Sequence, residues 1–390
     1  MKLIFWILIG LIAYTYFGYA ILLLLLNGIK RLFFLKRKVT ADNPLPEVTL
    51  LIAAYNEKDI IETKVQNTRE IHYPPGLLKV VWITDGSDDG TPEILVRYPG
   101  IKVLHQSERM GKTAALNRAM KLMETPYVIF SDANTLLDPD AVMKLITLFN
   151  IEKVGCVAGE KRIARNIFDV AAGAGEGAYW QYESLLKRLE SNFYSALAAA
   201  GELYAIRTDL YQPVDPDIII DDFVISLNIA RQGYRIKYQP EAFAIENSSV
   251  NIREELKRKI RIASGAMQTM FRFPSLFNFF RYGFLSFEFI SHKVLRWLIV
   301  PLSIPLILFL NILLCIHTQW QEISYFIVFL LQSLFYFFVV LGILFEGKAT
   351  RWKVIFLPYY LIIVNYAQYA GMIKFFRRKH NVIWEKAKRA

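Results

Sequence analysis

Four long apolar runs dominate the pattern of hydrophobic and polar positions along this 390-residue chain. The first, Leu3 to Leu26, has 24 residues without a charge, enough for a helix that crosses a hydrocarbon core of ~30 Å. The run is too long for a signal-peptide core and basic residues follow it, so we predict a retained anchor with its C-terminal flank in the cytoplasm. Three later runs are also long enough to span a membrane: Val294–Ile316, Ile323–Phe345 and Val354–Phe376.

Between these runs, short and mainly apolar stretches alternate with segments of helical periodicity. Strands are predicted at Val48–Ala54, Val80–Thr84, Lys102–His105, Val128–Ser131 and Val154–Ala158. Helices are predicted between strands, at Lys58–Ile71, Lys112–Met123 and Asp140–Asn150. Continuous apolarity is typical of parallel strands that helices cover on both faces. The pattern therefore predicts one α/β domain with a mostly parallel, Rossmann-like sheet.

The predicted organisation has five segments. Phe271 to Phe289 is rich in phenylalanine but is interrupted by charged residues and a proline, a composition typical of amphipathic helices in the membrane interface. The predicted segments are an N-terminal membrane helix (1–29), a cytoplasmic α/β domain (30–270), interfacial helices (271–293), about three membrane helices (294–376) and a basic tail (377–390).

Charge and composition exclude several classes of protein. The net charge of +11 resides in two stretches beside the apolar runs, +5 over residues 30–38 and +6 over 374–390, as in juxtamembrane anchors. The rest of the chain sums to zero, so we expect no nucleic-acid partner. Two cysteines and five scattered histidines exclude a disulfide framework and a zinc site. Four crossings would place the basic tail outside, against the positive-inside rule, so either the last segment is re-entrant or the rule fails here.

Polar residues concentrate where the predicted strands end, which is where α/β sheets bind ligands. The first strand ends in Ala54, Tyr55, Asn56 and Glu57, and the second in a turn that runs from Thr84 and Asp85 to Thr91. Carboxylates on such a turn can bind the base and ribose of a nucleotide; the alternative is a solvated turn. Lys112 begins a helix where it can meet a diphosphate, although the glycine that a Walker loop requires is absent.

Two further pairs of polar residues are candidates for chemistry. Asp132 and Asn134 end a buried strand on one side of the chain, which suits Mg²⁺ or Mn²⁺ with oxygen ligands. Asp221 and Asp222 begin a predicted helix, where one carboxylate can face a cleft as a general base; the alternative is that both cap the helix.

A basic helix near residue 260 brings a pair of arginines to one face. Arg258 and Arg261 are spaced at i and i+3, so their guanidinium groups can clamp a leaving diphosphate. The alternative reading is that they bind anionic lipid headgroups.

The order of these motifs from residue 48 to about 265 resembles the family 2 inverting glycosyltransferases of the membrane-embedded cellulose synthase, hyaluronan synthase and poly-N-acetylglucosamine synthase group. The resemblance implies a GT-A fold that binds a UDP-sugar donor. By that resemblance, Asp222 is the catalytic base and Lys112 approaches the diphosphate with Arg258 and Arg261. It also implies that Ala54, Tyr55, Glu57 and Asp85 hold the uridine and that Asp132 and Asn134 serve the ribose and the metal.

The sequence departs from that family at the acceptor side. The family's closing motif ends in a tryptophan that supports the acceptor, and Ile262 occupies its position here. Trp180 is a candidate substitute for stacking on a sugar, with helix packing as the alternative. Gly201 is a candidate for leaving room for the acceptor, and Asp221 is assigned to the same side.

We therefore expect a multi-pass protein of the inner cell membrane that extends an extracellular polysaccharide through β-glycosidic linkages. Its implied partners are the UDP-sugar, the acceptor, the lipid bilayer and accessory export subunits. The first alternative is the transfer of one sugar to a lipid or lipid-linked acceptor at the cytoplasmic leaflet. The second is a membrane scaffold with a degenerate nucleotide-sugar fold.

Overall fold

The computed structural model describes residues 1–33, 44–164, 172–247, 252–345 and 353–378. Most of the basic stretch at 30–38 and all but the first two residues of the tail at 377–390 lie outside these ranges. The described residues form an α/β domain joined to a group of apolar helices.

A mixed, mostly parallel sheet forms the centre of the α/β domain. Its eight described strands follow the order β3-β2-β1-β4-β7-β6-β8-β5. Strands β1, β2, β3 and β4 are parallel to one another, β6 is parallel to β8, and β7 and β5 pair antiparallel with their neighbours. The bounds are β1 Val48–Ala54, β2 Leu78–Asp85, β3 Ile101–Gln106, β4 Tyr127–Asp132, β5 Thr135–Leu137, β6 Val154–Ile163, β7 Tyr204–Arg207 and β8 Arg235–Glu246.

Helices cover both faces of this sheet. On β1, Leu51 packs into the core on one face, and Leu50 and Ile52 pack into the core on the other. The α-helices of this part are α3 Ile61–Arg69, α4 Thr91–Leu95, α5 Lys112–Met120, α6 Ala141–Thr147, α7 Ala172–Phe193, α8 Asp221–Arg231 and α9 Ile252–Arg272. Short 3₁₀ helices lie at Lys58–Ile60, Leu148–Asn150 and Thr208–Leu210.

Four described helices are long and apolar enough to cross a membrane: Lys2–Phe33, Phe284–His317, Ile323–Leu344 and Val354–Phe376. The first comprises α1 Lys2–Ala13, a π-helical turn Tyr14–Gly18 and α2 Tyr19–Phe33. After the short helices Pro274–Phe277 and α10 Phe279–Tyr282, the second comprises α11 Phe284–Glu288, a π-helix Phe289–Ile299 and α12 Val300–His317. The last two are α13 Ile323–Leu344 and α14, whose bounds are Lys353–Phe376.

The second long helix begins at Phe284 rather than at Val294, the predicted start. Its early turns contain charged residues that the sequence pattern excluded from a membrane helix. These residues are buried against α7 instead of facing lipid: His292 lies 2.6 Å from Glu190, Lys293 lies 3.5 Å from Glu183, and Arg296 also pairs with Glu183. A continuous helix is therefore compatible with charges in its first half, because carboxylates of the α/β domain neutralise them.

The core of the α/β domain continues without interruption into the apolar helices. Phe289 and Val294 of the second long helix belong to the same buried cluster as the sheet residues Leu51 and Ile83. Lys30, at the end of the first helix, donates hydrogen bonds of 2.8 Å to the carbonyls of Asn192 and Phe193 at the end of α7. The membrane-associated helices therefore hold the domain directly.

Candidate functional site

The carboxyl ends of β1, β2 and β4 meet at one edge of the sheet and form a cleft. Five residues predicted to form the site line it: Ala54, Tyr55, Asp85, Lys112 and Asp132. The other lining residues are Ala53, Ile83, Arg109, Gly111, Ala115 and Ala133. The structure thus brings together most of the candidates for donor binding.

Hydrogen bonds connect the loop after β1 to the loop after β2 beside this cleft. Asn56, with φ of 51°, donates to Asp88 over 2.7 Å and accepts from the backbone N–H of Asp88 over 3.0 Å. The backbone N–H of Glu57 donates to Thr91 over 2.9 Å, and the Glu57 side chain is 2% exposed. Glu57 therefore lies beneath the loops and does not line the cleft.

Asp85 fixes the loop that leads into α5. Its Oδ2 accepts the backbone N–H groups of Met110 over 3.0 Å and Gly111 over 2.6 Å. Gly111 has φ of 94°, a left-handed conformation that favours glycine, and Lys112 then starts the helix. One function of Asp85 is therefore to position Lys112.

Arg109 is a site residue that the sequence reading missed. Its guanidinium lies 3.6 Å from the centre of the Tyr55 ring, a stacking contact at the cleft. Gly86, with φ of 68°, makes room for it, since a Cβ there would lie 2.5 Å from the Arg109 Cβ. The signal in the sequence was an arginine two residues before Gly111 in the loop that follows β3.

Three charged side chains converge around Gly201. Lys112 Nζ lies 2.6 Å from Asp132 Oδ1 and 3.9 Å from Asp221 Oδ2. A Cβ on Gly201 would lie 3.5 Å from both Asp222 Oδ2 and Lys112 Nζ and 3.6 Å from Asp132 Oδ2. The space beside Gly201 is thus bordered by a lysine and two carboxylates.

The start of α8 resolves the question whether its two carboxylates are helix caps. The helix begins at Asp221 itself, and its N-cap residue is Ile220, which makes no side-chain cap. Asp222 accepts the backbone N–H of Phe223 through Oδ1 over 2.8 Å, while its Oδ2 points to the space beside Gly201. Asp222 therefore presents an oxygen to the site.

Burial and crowding alter the protonation of this group. Burial, reinforced by Asp221 and only partly offset by Lys112, raises the pKa of Asp222 to about 7. Burial also raises the pKa of Asp132 against the opposing effect of Lys112. Burial lowers the pKa of Lys112, but Asp132 and Asp221 outweigh it and raise this pKa above its usual value. Lys112 is therefore a fixed cation, whereas Asp222 can exchange a proton near neutral pH.

A buried lysine holds the turn that contains Asp132 and Asn134. Lys64 of α3 is fully buried and donates to Ser131 Oγ over 2.9 Å and to the Thr135 carbonyl over 2.6 Å. Burial lowers its pKa to about 7. The Asn134 amide donates to Glu246 over 3.2 Å, so Asn134 is turned towards β8.

The two arginines of α9 have different environments. Arg258 forms two 3.0 Å hydrogen bonds with Glu255, three residues earlier on the same helix. Arg261 donates to the Ile219 carbonyl over 3.3 Å. Burial lowers the pKa of Arg261, and the nearby Asp221, Asp222 and Asp132 act against that shift. Arg261 is the arginine that faces the carboxylates of the site.

Trp180 lies next to a chain of buried charges that includes Glu202. Lys161 pairs with Glu202 over 2.6 Å and with Glu246, and its ammonium lies 5.2 Å from the centre of the Trp180 ring. Glu202 directly follows Gly201. The sequence reading singled out Trp180 and Gly201 but missed Glu202, whose signal was a carboxylate beside the glycine.

Comparison with known proteins identifies the family. The family model described as "Glycosyltransferase like family 2" matches residues 46–267, more than half of the chain and the whole of the cleft. The chain belongs to this glycosyltransferase family. The resemblance seen in the sequence motifs is thereby confirmed.

Individual relatives agree with this assignment. The chain is 28% identical over 235 residues to a poly-beta-1,6-N-acetyl-D-glucosamine synthase of Staphylococcus aureus, a match that covers 58% of this chain and 56% of the relative. A synthase with the same description from Staphylococcus epidermidis is 27% identical over 232 residues, with the same coverage. The match spans about half the length of these curated relatives.

A solved structure establishes the fold. A mannosyltransferase from Pyrobaculum calidifontis, in complex with GDP-Man and Mn²⁺, superposes with a TM-score of 0.68 at 22% identity. The match covers 96% of this chain and 99% of that chain, so it includes the apolar helices. The predicted GT-A-like fold with helices long enough to span a membrane is confirmed.

Proposed function

We propose that this glycosyltransferase transfers a sugar from a UDP-sugar to a hydroxyl of a growing polysaccharide and inverts the anomeric centre. One observation supports it above all: Asp222, Lys112 and Asp132 border the same small space beside Gly201, next to the cleft with Tyr55. A single displacement uses a base, here Asp222, and a cation that stabilises the leaving group, here Lys112. Asp132 adds a carboxylate on the side of the diphosphate.

The cleft supplies the contacts for the donor. Tyr55, stacked by Arg109, provides a flat surface for the base of the nucleotide. Ala54 lines the same wall. Lys112 at the start of α5 and Arg261 on α9 bring positive charge to the diphosphate, and Arg258 supports the same helix through Glu255.

The residues present fit a divalent cation of the magnesium or manganese type. No group of three or more acidic, histidine or cysteine side chains is placed to hold a metal among the described residues. Mg²⁺ commonly uses one or two carboxylates together with substrate phosphates. Asp132 would hold it. Asp221, whose buried Oδ2 has no hydrogen-bond partner among the described residues, lies 3.9 Å from Lys112, the lysine that pairs with Asp132. When bound, such an ion neutralises charge on the departing diphosphate.

The chemistry is a single in-line displacement. The acceptor oxygen forms a bond to the anomeric carbon as the bond from that carbon to the phosphate oxygen breaks. The proton of the acceptor hydroxyl passes to Asp222 Oδ2, and UDP leaves with the bonding electron pair. Lys112 and Arg261 stabilise the negative charge that develops on UDP. An α-linked donor then gives a β-glycoside.

The polysaccharide acceptor is suggested by the described activity of the staphylococcal relatives. The apolar helices and the basic residue Lys30 support a position in the cell membrane with the catalytic domain in the cytoplasm. In this arrangement the product leaves through the membrane, with accessory export subunits as further partners. Transfer of one sugar to a lipid-linked acceptor is the alternative, because Ile262 stands where the related synthases have an acceptor tryptophan.

The test is nucleotide release by the purified full-length protein with a panel of UDP-sugars and GDP-sugars, followed by mass analysis of the products. We expect release of UDP with one UDP-sugar, dependence on Mg²⁺ or Mn²⁺, and a ladder of products. Release of GDP alone would reject the donor class. A product that stops after one sugar would reject the polymer.

The pH dependence of the reaction follows from Asp222. Its pKa is raised to about 7, and a general base acts only when it is deprotonated. We expect kcat/KM to increase about tenfold per pH unit below pH 7 and to level off above it. Initial rates between pH 5 and 9, with donor binding measured at each pH, check this. A flat profile between pH 5 and 7 would show that another group accepts the proton.

A further inference from the structure

The two carboxylate oxygens of Glu202 differ in their contacts with other side chains. Oε1 accepts from Lys161 over 2.6 Å, whereas Oε2 takes no hydrogen bond from another side chain in the part of the chain that the structure describes. The side chain is 13% exposed, and the residue follows Gly201 directly. The charge of Glu202 acts on both Asp222 and Asp132, so its carboxylate lies near the space where Asp222 and Lys112 meet.

A buried ion pair with Lys161 fixes the position of Glu202. The Lys161 side chain has no exposure and is shared between Glu202 and Glu246, whose side chain is 3% exposed. Lys161, with two carboxylates around it, keeps the pKa of Glu202 low, at about 2, despite burial. Glu202 is therefore ionised at every physiological pH and acts only as a hydrogen-bond acceptor.

The charges around the acceptor side favour a neutral ligand. Asp221, Asp222 and Glu202 supply three carboxylates there. The two lysines nearby are paired, Lys112 with Asp132 and Lys161 with Glu202 and Glu246. Arg258, whose charge also acts on Glu202, is hydrogen-bonded to Glu255. In the proposed function, Lys112 and Arg261 serve the diphosphate of the donor. A phosphate or carboxylate placed next to Glu202 would meet like charge, whereas a hydroxyl group would donate a hydrogen bond to Oε2.

We propose that Glu202 binds a hydroxyl group of a neutral acceptor sugar, and that this side of the site rejects acceptors that present a phosphate or a carboxylate. The proposal rests on the proposed function, since it concerns the acceptor of the same transfer. It names the chemical class of the acceptor and a residue that selects it.

The test replaces Glu202 with glutamine in the full-length protein, with Glu160→Gln as the matched control. Glu160 precedes Lys161 on β6, and both of its oxygens are already hydrogen-bonded, by Ser184 and by Tyr238. A hydrogen bond to a charged group predicts an increase of about 10- to 100-fold in the KM for a neutral oligosaccharide in Glu202→Gln. We expect the KM for the same oligosaccharide to stay unchanged in Glu160→Gln.

Acceptor choice separates binding from a structural role. The acceptors are a neutral oligosaccharide, the same oligosaccharide ending in a uronic acid, and a polyprenyl phosphate. The wild type should use the neutral oligosaccharide. In Glu202→Gln, the ratio of kcat/KM for this acceptor to kcat/KM for each of the two charged acceptors should be smaller than in the wild type. Preference of the wild type for polyprenyl phosphate, or an unchanged KM in Glu202→Gln, would overturn the proposal. Absence of donor turnover in the wild type would instead overturn the proposed function.

An independent set of contacts concerns α14, the last of the four apolar helices. At the end of the helical group away from the catalytic domain, Lys2 pairs with Glu322 over 3.2 Å, and Phe5 contacts Tyr325 with ring centres 5.6 Å apart. The buried cluster at this end consists of residues from α1, α12 and α13. Its described members include none from α14.

The α14 helix packs on α13 where Tyr359 lies beside Gly342, and Asn365 donates to the Tyr16 hydroxyl of the first helix over 3.1 Å. Over most of its length it runs along α9 of the catalytic domain. Lys259 lies 5.6 Å from the centre of the Tyr360 ring, and the rings of Phe271 and Phe375 stack 5.4 Å apart. Between these contacts, a Cβ on Gly371 would lie 2.8 Å from backbone atoms of α9. The helix is therefore beside α9 from residue 360 to its end.

Distance and charge argue against a membrane crossing by α14. Only residues 353–359 precede the contact with α9, and at ~1.5 Å per residue they span about 10 Å of a ~30 Å hydrocarbon core. The α9 helix itself is highly charged and cannot lie in hydrocarbon. Its charged residues are Arg253, Glu254, Glu255, Lys257, Arg258, Lys259, Arg261 and Arg272.

The exposed face of α14 has the composition of a membrane interface. Val354, Leu357, Tyr366, Tyr369 and Phe376 are exposed at helical spacing, a mixture of apolar and tyrosine side chains. The opposite face is buried, including a completely buried Ala367. Among the four apolar helices, α14 is the least hydrophobic.

The geometry points to a chain that crosses the membrane three times, with α14 lying in the interface on the side of the catalytic domain. Its exposed face contacts lipid headgroups and the outer part of the acyl chains. Lys374, Arg377 and Arg378 then lie on the same side as the catalytic domain. This arrangement satisfies the positive-inside rule, which four crossings would violate.

The test is labelling of single introduced cysteines by a membrane-impermeant maleimide in intact cells. Asp209→Cys reports the catalytic domain, Gln321→Cys reports the loop between α12 and α13, and Arg378→Cys reports the end of α14. The natural Cys156 and Cys315 are buried and give the background. We expect Arg378→Cys to behave like Asp209→Cys, with labelling only after permeabilisation. Labelling of Arg378→Cys together with Gln321→Cys would show a fourth crossing.

Discussion

Asp222→Asn should lower the rate of sugar transfer by about 10²–10⁴-fold, the usual contribution of a general base. Asparagine keeps the shape and the hydrogen bond to the Phe223 backbone but cannot accept the proton of the acceptor hydroxyl. Donor affinity should change little, since Asp222 Oδ2 faces the space beside Gly201 rather than the Tyr55 side of the cleft. Initial rates of UDP release with acceptor, together with donor binding by calorimetry, measure the two effects.

Asp209→Asn is the matched control for this substitution. Asp209 is an exposed aspartate that pairs with Arg207 over 2.9 Å on the surface, so the same chemical change should leave the rate unaltered. Wild-type turnover in Asp222→Asn would exclude it as the base. Equal losses in both variants would indicate a general effect of removing charge.

Gly371→Val should lower the rate of transfer by about 10²-fold although residue 371 lies on α14. A Cβ at this position would lie 2.8 Å from the Ile260 carbonyl oxygen and the Ser264 backbone nitrogen, so α9 must move away. Arg261 lies between these two residues and moves with them. A displacement of about 1 Å in a group that stabilises the leaving diphosphate is enough for this loss.

Gly10→Val provides the control in another apolar helix. A Cβ on Gly10 would meet no atom within 4 Å, so the same substitution should cause no displacement. Circular dichroism and thermal unfolding in detergent establish that both variants are folded. Full activity of folded Gly371→Val would show that α9 tolerates the shift, and that its position is not set by α14.

The sequence was sufficient to predict the five strands that have mainly apolar residues. All five predicted strands are present, because β1, β2, β3, β4 and β6 have mainly apolar residues bounded by turns. The other three strands were missed. The longest of them, β8, alternates polar and apolar residues from Arg235 to Gln239, and Pro240 and Glu241 separate this part from a short apolar run. β5 has only three residues.

The same contrast applies to the site. Asp85, Lys112 and Asp132 were predictable because they directly follow strands, and the topology of a parallel sheet brings strand ends together. Asn134 and Glu202 depend on Glu246 and Lys161, which are far away in the chain, and no local spacing reveals those contacts. The pair of Arg258 with Glu255 was within reach of the sequence, since i and i+3 residues of a helix are neighbours.

Basic residues near the apolar runs were interpreted as membrane anchors from their number and from their position beside those runs. Lys30 shows a second use of such a charge, since it binds the free carbonyls at the end of α7. Whether a basic residue anchors the chain at the membrane or binds the end of a helix depends on where that residue lies relative to the helix. A count of charges does not contain this information.

The sheet and the apolar helices share one uninterrupted core, so the stability of the catalytic domain depends on the lipid bilayer as well as on water. Phe289 and Val294 complete a cluster that also contains Leu51 and Ile83, so residues 44–272 alone would expose the surface that these side chains cover. The bilayer therefore contributes to the folding free energy of the enzymatic part. We expect changes in lipid thickness or composition to reach the chemistry as changes in packing, because the described residues of the two parts share one core.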